Sequence, residues 1–275
     1  MFIQILTIIG YLALGFAVGT FGTLVGAGGG FLLTPVLLLL FPDMSPSAVT
    51  AVSMTTVLFN SASGSAAYAR LKRIDFKTGL LFAVTVLPGT LIGTWLTTLV
   101  SRDLFNTIFG AFMLVFAAVI IIKSRMGDRS APYGHPGRLR ARRRLTASDG
   151  IEAAFSFHLP LGILISFGVG FLSGFLGIGG GIVHVPALVF LGFPAHFATA
   201  TSHFVLACSS LSSFILHLAQ GALSGHMVMA FVIAAGAVGG AQLGAHLSQK
   251  VKGSWIMILL AAALVLAGVR ILVWG

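Results

Sequence analysis

Residues 19–30 read GTFGTLVGAGGG, and residues 170–181 read GFLSGFLGIGGG. A shift of 151 positions aligns five of the six glycines of each stretch and also places Pro35 on Pro186. Composition alone hardly produces such a match, so we interpret it as an internal duplication. Long apolar segments flank each stretch, and the fold therefore depends on what these repeated glycines do between apolar helices.

The composition is typical of a membrane protein. Of the 275 residues, 57% are hydrophobic and only 8% are charged, against roughly 25% charged residues in a soluble domain, and the mean hydropathy is +1.04. The chain begins MFIQILTIIG, with no basic n-region and no clear cleavage pattern, so we predict a retained span rather than a signal peptide. We expect an all-α polytopic membrane protein.

Ten apolar segments form two groups of five, separated by a stretch rich in Arg, Gly and Pro. The segments are 2–27, 31–42, 46–69, 78–100 and 104–123, then 158–177, 182–193, 197–219, 226–248 and 254–274. We predict an N-terminal membrane repeat at 1–123, a connector at 124–157 and a C-terminal membrane repeat at 158–275. Eight of the 16 Lys and Arg residues lie between Lys123 and Arg144. This basic connector is expected to be a flexible cytoplasmic loop, because Lys and Arg prefer that side of the membrane, and it does not indicate nucleic-acid binding.

Loop charges predict that the two repeats run in opposite directions. The basic residues at 70–77 and the connector both belong inside, which leaves residues 101–103 outside. Lys250 and Lys252 place the matching loop of the second repeat inside, so the repeats are inverted if each half crosses the membrane five times. If the short segments are re-entrant instead, each half has four spans and the repeats are parallel.

The short segments that follow the glycines predict a broken helix in each half. Twelve helical residues rise only about 18 Å, which is less than the roughly 30 Å of a hydrocarbon core. Glycine lets the backbone leave helical geometry, and such backbone persists in a bilayer only where protein or a water-filled cavity covers it. Free N–H groups at the start of each short helix would attract an anion, and two inverted copies would direct them at one central point.

Glycine also has a packing role, which we assign to the small-residue series at Gly15, Gly19, Gly89, Gly93, Gly236, Gly240 and Gly244. For the triplets that recur in both halves we favour substrate binding instead. These candidate residues are Gly28, Gly29, Gly30, Gly179, Gly180 and Gly181.

Polar residues follow helical spacing on one face of two matching segments, which predicts the lining of a cavity. A shift of 149 positions aligns the segment that begins TAVS at Thr50 with the segment that begins TATS at Thr199. The candidate lining residues are Thr50, Ser53, Asn60, Ser202, His203 and Ser209. Ordinary contacts within and between helices remain the alternative, because Ser and Thr bond readily to the i−4 carbonyl.

The ionisable residues favour an anion as the solute. All six acidic residues fall in or beside predicted loops, whereas cation pathways usually place Asp or Glu within the membrane. His184, in the first turn after the second triplet, is a further candidate for contact with the anion and for coupling transport to pH, with a packing role as the alternative. No close pair of metal ligands is present, so we expect neither a metal nor another cofactor.

The stretches LVGAGGGFLLTP (Leu24 to Pro35) and FLGIGGGIVHVP (Phe175 to Pro186) resemble the paired glycine motifs of the TauE/SafE family of membrane permeases. The resemblance covers nearly all of the chain except the connector. It implies that the protein moves a small anion, commonly sulfite or an organosulfonate, across the bacterial inner membrane. We therefore expect a multi-pass secondary transporter that works by alternating access, with a small anion and the lipid bilayer as its partners and a homodimer left open.

Three other functions were weighed against this one. An anion channel that uses the glycine loops as its filter remains the alternative to a carrier. Ser224 and His226 lie close enough to suggest an intramembrane enzyme, but no oxyanion motif accompanies them, so we expect no enzyme. The glycines lack the strand and the spacing of a dinucleotide-binding motif.

Overall fold

A computed structural model describes residues 2–125, 140–148, 150–248 and 253–274. These residues form ten α-helices and one two-stranded β-hairpin. The elements in chain order are α1 (Phe2–Val25), α2 (Gly30–Leu40), α3 (Pro46–Arg70), α4 (Phe76–Leu96), α5 (Arg102–Arg125), β1 (Arg140–Thr146), β2 (Glu152–His158), α6 (Leu159–Leu176), α7 (Gly181–Leu191), α8 (Ala195–Ala219), α9 (Met227–Leu247) and α10 (Gly253–Trp274). Each predicted apolar segment corresponds to one helix.

Six helices among the described residues are long and apolar enough to cross a membrane, namely α1, α4, α5, α6, α8 and α9. The prediction of an all-α polytopic membrane protein is therefore confirmed, with the hairpin as an addition. The helices α2 and α7 are short, with 11 residues each, or about 16 Å. Pro35 and Pro186 lie inside them, as expected for elements that cannot span the bilayer alone.

Close backbone contacts join the two halves of the chain. The helix α1 packs against α9, and α4 packs against α6. A Cβ atom on Gly19 would lie 2.5 Å from the Ala237 carbonyl oxygen, and one on Gly240 would lie 2.2 Å from the Phe16 carbonyl oxygen. Since carbon and oxygen normally stay about 3.3 Å apart, only glycine fits at these positions. The predicted packing role of these glycines is confirmed, and the first helix of each half packs on the fourth helix of the other.

The helices α3 and α8 cross each other in antiparallel directions. Thr50, near the start of α3, lies 3.4 Å from His217, near the end of α8. At the other end of the crossing, a Cβ atom on Gly64 in α3 would lie 2.5 Å from the ring of His203 in α8. These two helices contain the polar segments that a shift of 149 positions aligns in the sequence.

A β-hairpin formed by β1 and β2 was not predicted from the sequence. Phe155 and Phe157 on β2 pack against Phe193, with ring centroids 4.5 Å and 4.8 Å apart. Arg143 on β1 pairs at 3.1 Å with Asp75, whose buried carboxylate caps the start of α4. The prediction of a flexible connector is wrong for these strands, because their inward side chains hold them against the helix ends.

Part of the connector, residues 126–139 and 149, lies outside the described residues. The same is true of Lys250 and Lys252, whose charges set the predicted direction of the second repeat. The division of the chain at 123/124 and 157/158 stays a prediction.

Candidate functional site

Each glycine loop turns the chain directly into a short helix. In the first loop, Gly28 and Gly29 have φ angles of +73° and +83°, and in the second, Gly179 and Gly180 have φ angles of +78° and +66°. The backbone of an L-residue with a side chain rarely adopts such φ angles, so both loops need glycine for their conformation. The helices α2 and α7 then begin at Gly30 and Gly181, without a side-chain cap.

The structure brings the two glycine loops into direct contact. A Cβ atom on Gly30 would lie 2.6 Å from the Gly177 carbonyl oxygen, and one on Gly181 would lie 2.2 Å from the Gly26 carbonyl oxygen. Each helix start therefore touches the backbone of the opposite loop. The contact is reciprocal, as expected if the two loops are equivalent parts of a duplicated chain.

Free amide groups remain at both helix starts. The first backbone bonds of α2 are donated by Leu32 and Leu33 to the Gly29 carbonyl oxygen, and those of α7 are donated to the Gly180 carbonyl oxygen. Within the part of the chain that the structure describes, the N–H groups of Gly30, Phe31 and Ile182 donate to no acceptor. Such groups, with the partial positive charge of a helix N-terminus, are suited to bind an oxyanion.

Two apolar side chains cover the junction of the loops. Val57 on α3 has its Cγ1 atom 3.0 Å from the Cβ position of Gly28 and 2.9 Å from that of Gly179. Leu206 on α8 lies 2.9 Å from the Cβ positions of Gly28 and Gly181. A shift of 149 positions makes Val57 and Leu206 equivalent. All six triplet residues are buried, so the structure has a closed junction.

Two hydroxyl groups bind the second loop, and the first loop has no matching pair. Ser53 Oγ donates at 2.6 Å and Thr34 Oγ1 at 3.1 Å to the Gly177 carbonyl oxygen. Ser202 is the equivalent of Ser53, but its buried hydroxyl has no hydrogen-bond partner among the described residues. Val185 stands where Thr34 would be repeated, so the two loops are anchored differently.

A buried polar cluster lies at the end of the α3–α8 crossing toward the C-terminus of α3. Thr23 Oγ1 donates to Asn60 Oδ1 at 3.1 Å and lies 3.3 Å from His203 Nε2. Tyr68 donates to the Thr23 carbonyl oxygen at 2.9 Å and packs edge-on against the His203 ring. Two of the predicted residues, Asn60 and His203, are thus brought together, while Thr23 and Tyr68 were missed.

A second polar cluster lies at the opposite end of the same crossing. Thr94 Oγ1 and Ser213 Oγ are 2.8 Å apart, and Thr50 Oγ1 is 3.4 Å from His217 Nε2. Thr94, Ser213 and His217 were not among the predicted site residues, although His217 and Ser213 continue the helical spacing of Ser209 on α8. That spacing is the signal that could have identified them.

The remaining predicted residues have contacts of a more ordinary kind. The hydroxyls of Thr50 and Ser209 donate to carbonyl oxygens of their own helices, at 3.0 Å and 3.2 Å. The ring of His184 lies 3.2 Å from Ser166 Oγ and edge-on to Phe82, rather than against the first glycine loop. Among the described residues, no group of three or more His, Cys, Asp or Glu side chains is arranged to hold a metal ion.

Comparison with known proteins places this architecture among membrane transporters. A family model described as "Sulfite exporter TauE/SafE" matches residues 11–271. The "Probable membrane transporter protein YunE" of Bacillus subtilis is 32% identical over 271 residues, which are 95% of this chain and 96% of that protein. No solved structure matches the chain.

Two further relatives are similar over most of their length. A "Probable membrane transporter protein" of Methanocaldococcus jannaschii is 28% identical over 272 residues, which cover 94% of this chain and 92% of the relative. One from Haemophilus influenzae is 26% identical over 240 residues, which cover 86% and 84%. The family match includes both glycine loops and the helices α3 and α8.

Proposed function

The chain belongs to the sulfite exporter TauE/SafE family and is a membrane transporter, and we propose that it moves a small oxyanion by alternating access. The single observation that carries this proposal is the reciprocal contact of the two glycine loops at the starts of α2 and α7. Two helix N-termini at one buried point provide N–H donors and partial positive charge, which fit an anion and repel a cation.

We propose an inverted arrangement of the two repeats. The antiparallel crossing of α3 and α8 supports it, because matching helices of parallel repeats would point in the same direction across the membrane. The pairing of α1 with α9 and of α4 with α6 agrees with the same two-fold relation. In such transporters the solute site lies near the midplane, between discontinuous helices.

The proposed substrate is sulfite, which the family description names, or an organosulfonate, which the resemblance of the glycine motifs implies. Its oxygens would accept hydrogen bonds from the backbone around Gly28–Gly30 and Gly179–Gly181. The unpaired hydroxyl of Ser202 and the unpaired amide Nδ2 of Asn60 offer further donors. Their burial without partners supports a binding role, since an unsatisfied buried polar group costs about 1–3 kcal/mol.

We propose that the closed junction is the occluded conformation of the transport cycle. Val57 and Leu206 fill the space in front of both loops, so the anion can reach the N–H groups only after α3 and α8 move apart. A channel would need a continuous path, and the closed junction favours a carrier. Ser224 gives no support to an enzyme, because its carbonyl oxygen rather than its hydroxyl faces His226, at 3.1 Å.

We propose a location in the bacterial inner membrane, with the connector and its hairpin on the cytoplasmic side. The exposed arginines of β1, namely Arg140, Arg142 and Arg144, agree with that side. The proposed partners are the anion and the lipid bilayer, with a homodimer as the oligomeric state to be tested.

Uptake into proteoliposomes tests the proposed function. Vesicles loaded with unlabelled sulfite should accumulate labelled sulfite transiently, because the labelled sulfite that enters competes with an excess of unlabelled sulfite for the inward-facing site of the carrier. Methanesulfonate should compete, whereas choline and other cations should not. Uptake without transient accumulation of the label would identify a channel, and no uptake of either anion would overturn the proposal.

A further inference from the structure

Three buried histidines share one arrangement of hydrogen bonds. In each histidine, the ring Nε2 faces a hydroxyl group that donates its single hydrogen to another oxygen atom. At His203, Thr23 Oγ1 donates to Asn60 Oδ1 at 3.1 Å, and the same oxygen lies 3.3 Å from Nε2. A hydroxyl group has one hydrogen to donate, so we assign the hydrogen of the imidazole to Nε2, which then donates to Thr23.

His217 and His184 show the same pattern. Thr50 Oγ1 donates to the carbonyl oxygen of Pro46 and lies 3.4 Å from His217 Nε2. Ser166 Oγ donates at 2.8 Å to a carbonyl oxygen of its own helix and lies 3.2 Å from His184 Nε2. On the same grounds we assign the Nε2–H form to both rings.

The other ring nitrogen is then a base without a partner. In the neutral Nε2–H form, Nδ1 has a lone pair and no hydrogen. His184, His203 and His217 are fully buried, and within the described part of the chain the Nδ1 of each has no hydrogen-bond partner. Burying an acceptor in this way costs about 1–3 kcal/mol for each ring, which calls for a functional reason.

His203 and His217 lie on opposite sides of the glycine junction. Both belong to α8, His203 before Leu206 and His217 after it, and Leu206 covers the junction. His203 belongs to the cluster with Thr23 and His217 to the cluster with Thr50. His184 differs, because its ring packs against the phenylalanine of α4 away from this crossing.

The surroundings of the two rings hold few charges. The helices packed against α8 are α3, α4, α6 and α7, and their titratable or charged side chains are Tyr68, Arg70, Lys77 and His184. Arg70 and Lys77 are exposed, and Tyr68 contacts His203 with ring centroids 5.5 Å apart. Near the start of α4, Asp75 is paired with Arg143. Within the described residues no charged side chain pairs with His203 or His217.

We propose that His203 and His217 bind, at Nδ1, a proton that crosses the membrane together with the anion. This inference rests on the proposed anion transport and names its coupling ion. A buried imidazolium without a partner costs several kcal/mol, whereas an anion next to the Nδ1–H group offsets that charge and accepts its hydrogen bond. The proton comes from water on one side, is held at Nδ1 while the anion is bound, and leaves to water on the other side with the anion.

Proton movement that accompanies sulfonate transport tests this inference. Methanesulfonate is the probe because it stays ionised near neutral pH, so any proton that moves belongs to the protein. An inward methanesulfonate gradient should acidify the lumen of vesicles that contain the wild-type protein and a pH-sensitive dye. The variants His203→Gln and His217→Gln keep an amide donor toward the hydroxyl group but have no base.

In both variants the number of protons that move with each transported anion should fall at least tenfold, whatever rate of anion transport remains. His246→Gln, at an exposed position on α9, is the matched control and should keep the wild-type ratio. Wild-type transport without proton movement, or an unchanged ratio in both variants, would overturn the inference alone. A wild-type protein that exchanges neither methanesulfonate nor sulfite would overturn the proposed function and the inference with it.

Nuclear magnetic resonance of ¹⁵N-histidine provides a measurement that needs no functional variant. In the anion-free protein, His203 and His217 should show a protonated Nε2 and a bare Nδ1. Saturating methanesulfonate should convert at least one of the two rings to the doubly protonated form. A protonated Nδ1 in the anion-free protein, or rings that do not respond to the anion, would contradict the inference.

Discussion

Replacing Gly181 with alanine tests whether transport needs the contact between the two glycine loops. The new Cβ atom would lie 2.2 Å from the Gly26 carbonyl oxygen and 2.7 Å from Ala27 Cα. A carbon atom and a carbonyl oxygen normally stay about 3.3 Å apart, so the loops must separate by about 1 Å. Both neighbours are backbone atoms, which cannot turn aside as a side chain does.

The free-energy cost follows from this forced separation. Overpacking of this kind costs about 1–3 kcal/mol. If the closed junction is a step of the transport cycle, the same amount opposes passage through it, which lowers the rate by a factor of about 5–150. The measurement is exchange of labelled sulfite in proteoliposomes, with the amount of folded protein normalised by size-exclusion chromatography.

A matched control comes from Gly168 in α6. A Cβ atom there would meet no heavy atom within 4 Å, and alanine favours a helix over glycine by about 1 kcal/mol. Gly168→Ala should therefore keep wild-type exchange and at least wild-type stability. Equal exchange rates for folded Gly181→Ala and Gly168→Ala would refute the claim that the loop contact takes part in transport.

Two further changes test the closure of the junction and the hairpin. Val57→Ala removes a fully buried side chain in front of both loops, so it should lower stability by about 1–3 kcal/mol. It should also let sulfite leak through the junction, which abolishes the transient accumulation of labelled sulfite. Accumulation at the wild-type level would show that Val57 is no barrier. Asp75→Asn removes the charge that holds Arg143. The variant should lose about 1.5–3 kcal/mol of folding stability, and trypsin should cleave β1 faster. Glu152→Gln is the control, because its pair with Arg144 is exposed and its loss should change the cleavage rate little. Equal cleavage of the two variants would contradict the anchoring role of Asp75.

Most of the helices were predictable because a bilayer imposes a simple rule on the sequence. Each apolar segment had to satisfy its own backbone hydrogen bonds, so each became a helix. The meeting of the glycine loops was also predicted from the sequence, because two inverted copies of one helix start were expected to point at one central point. The sequence did not predict which helix each packing glycine contacts. Gly19 indicates that another helix approaches closely, but nothing in the sequence shows that this helix is α9.

The hairpin and the second polar cluster could not be predicted for different reasons. In β1 the inward Arg143 stands among outward arginines, so the strand alternation is hidden in a run of like charges. His217 lies near the end of a helix. From one sequence alone, a histidine at such a position is equally consistent with a buried site and with the membrane–water interface. Only its burial against Thr50 shows that it belongs to the α3–α8 crossing.

The most direct test of an anion site at the glycine junction is a structure determined with selenite, an anomalously scattering analogue of sulfite. A Cys208→Ser chain avoids the reaction of selenite with the free thiol. The account predicts a selenium peak at the junction, with selenite oxygens about 3 Å from the amide nitrogens of Phe31 and Ile182. A peak elsewhere in a protein that still exchanges sulfite would contradict it.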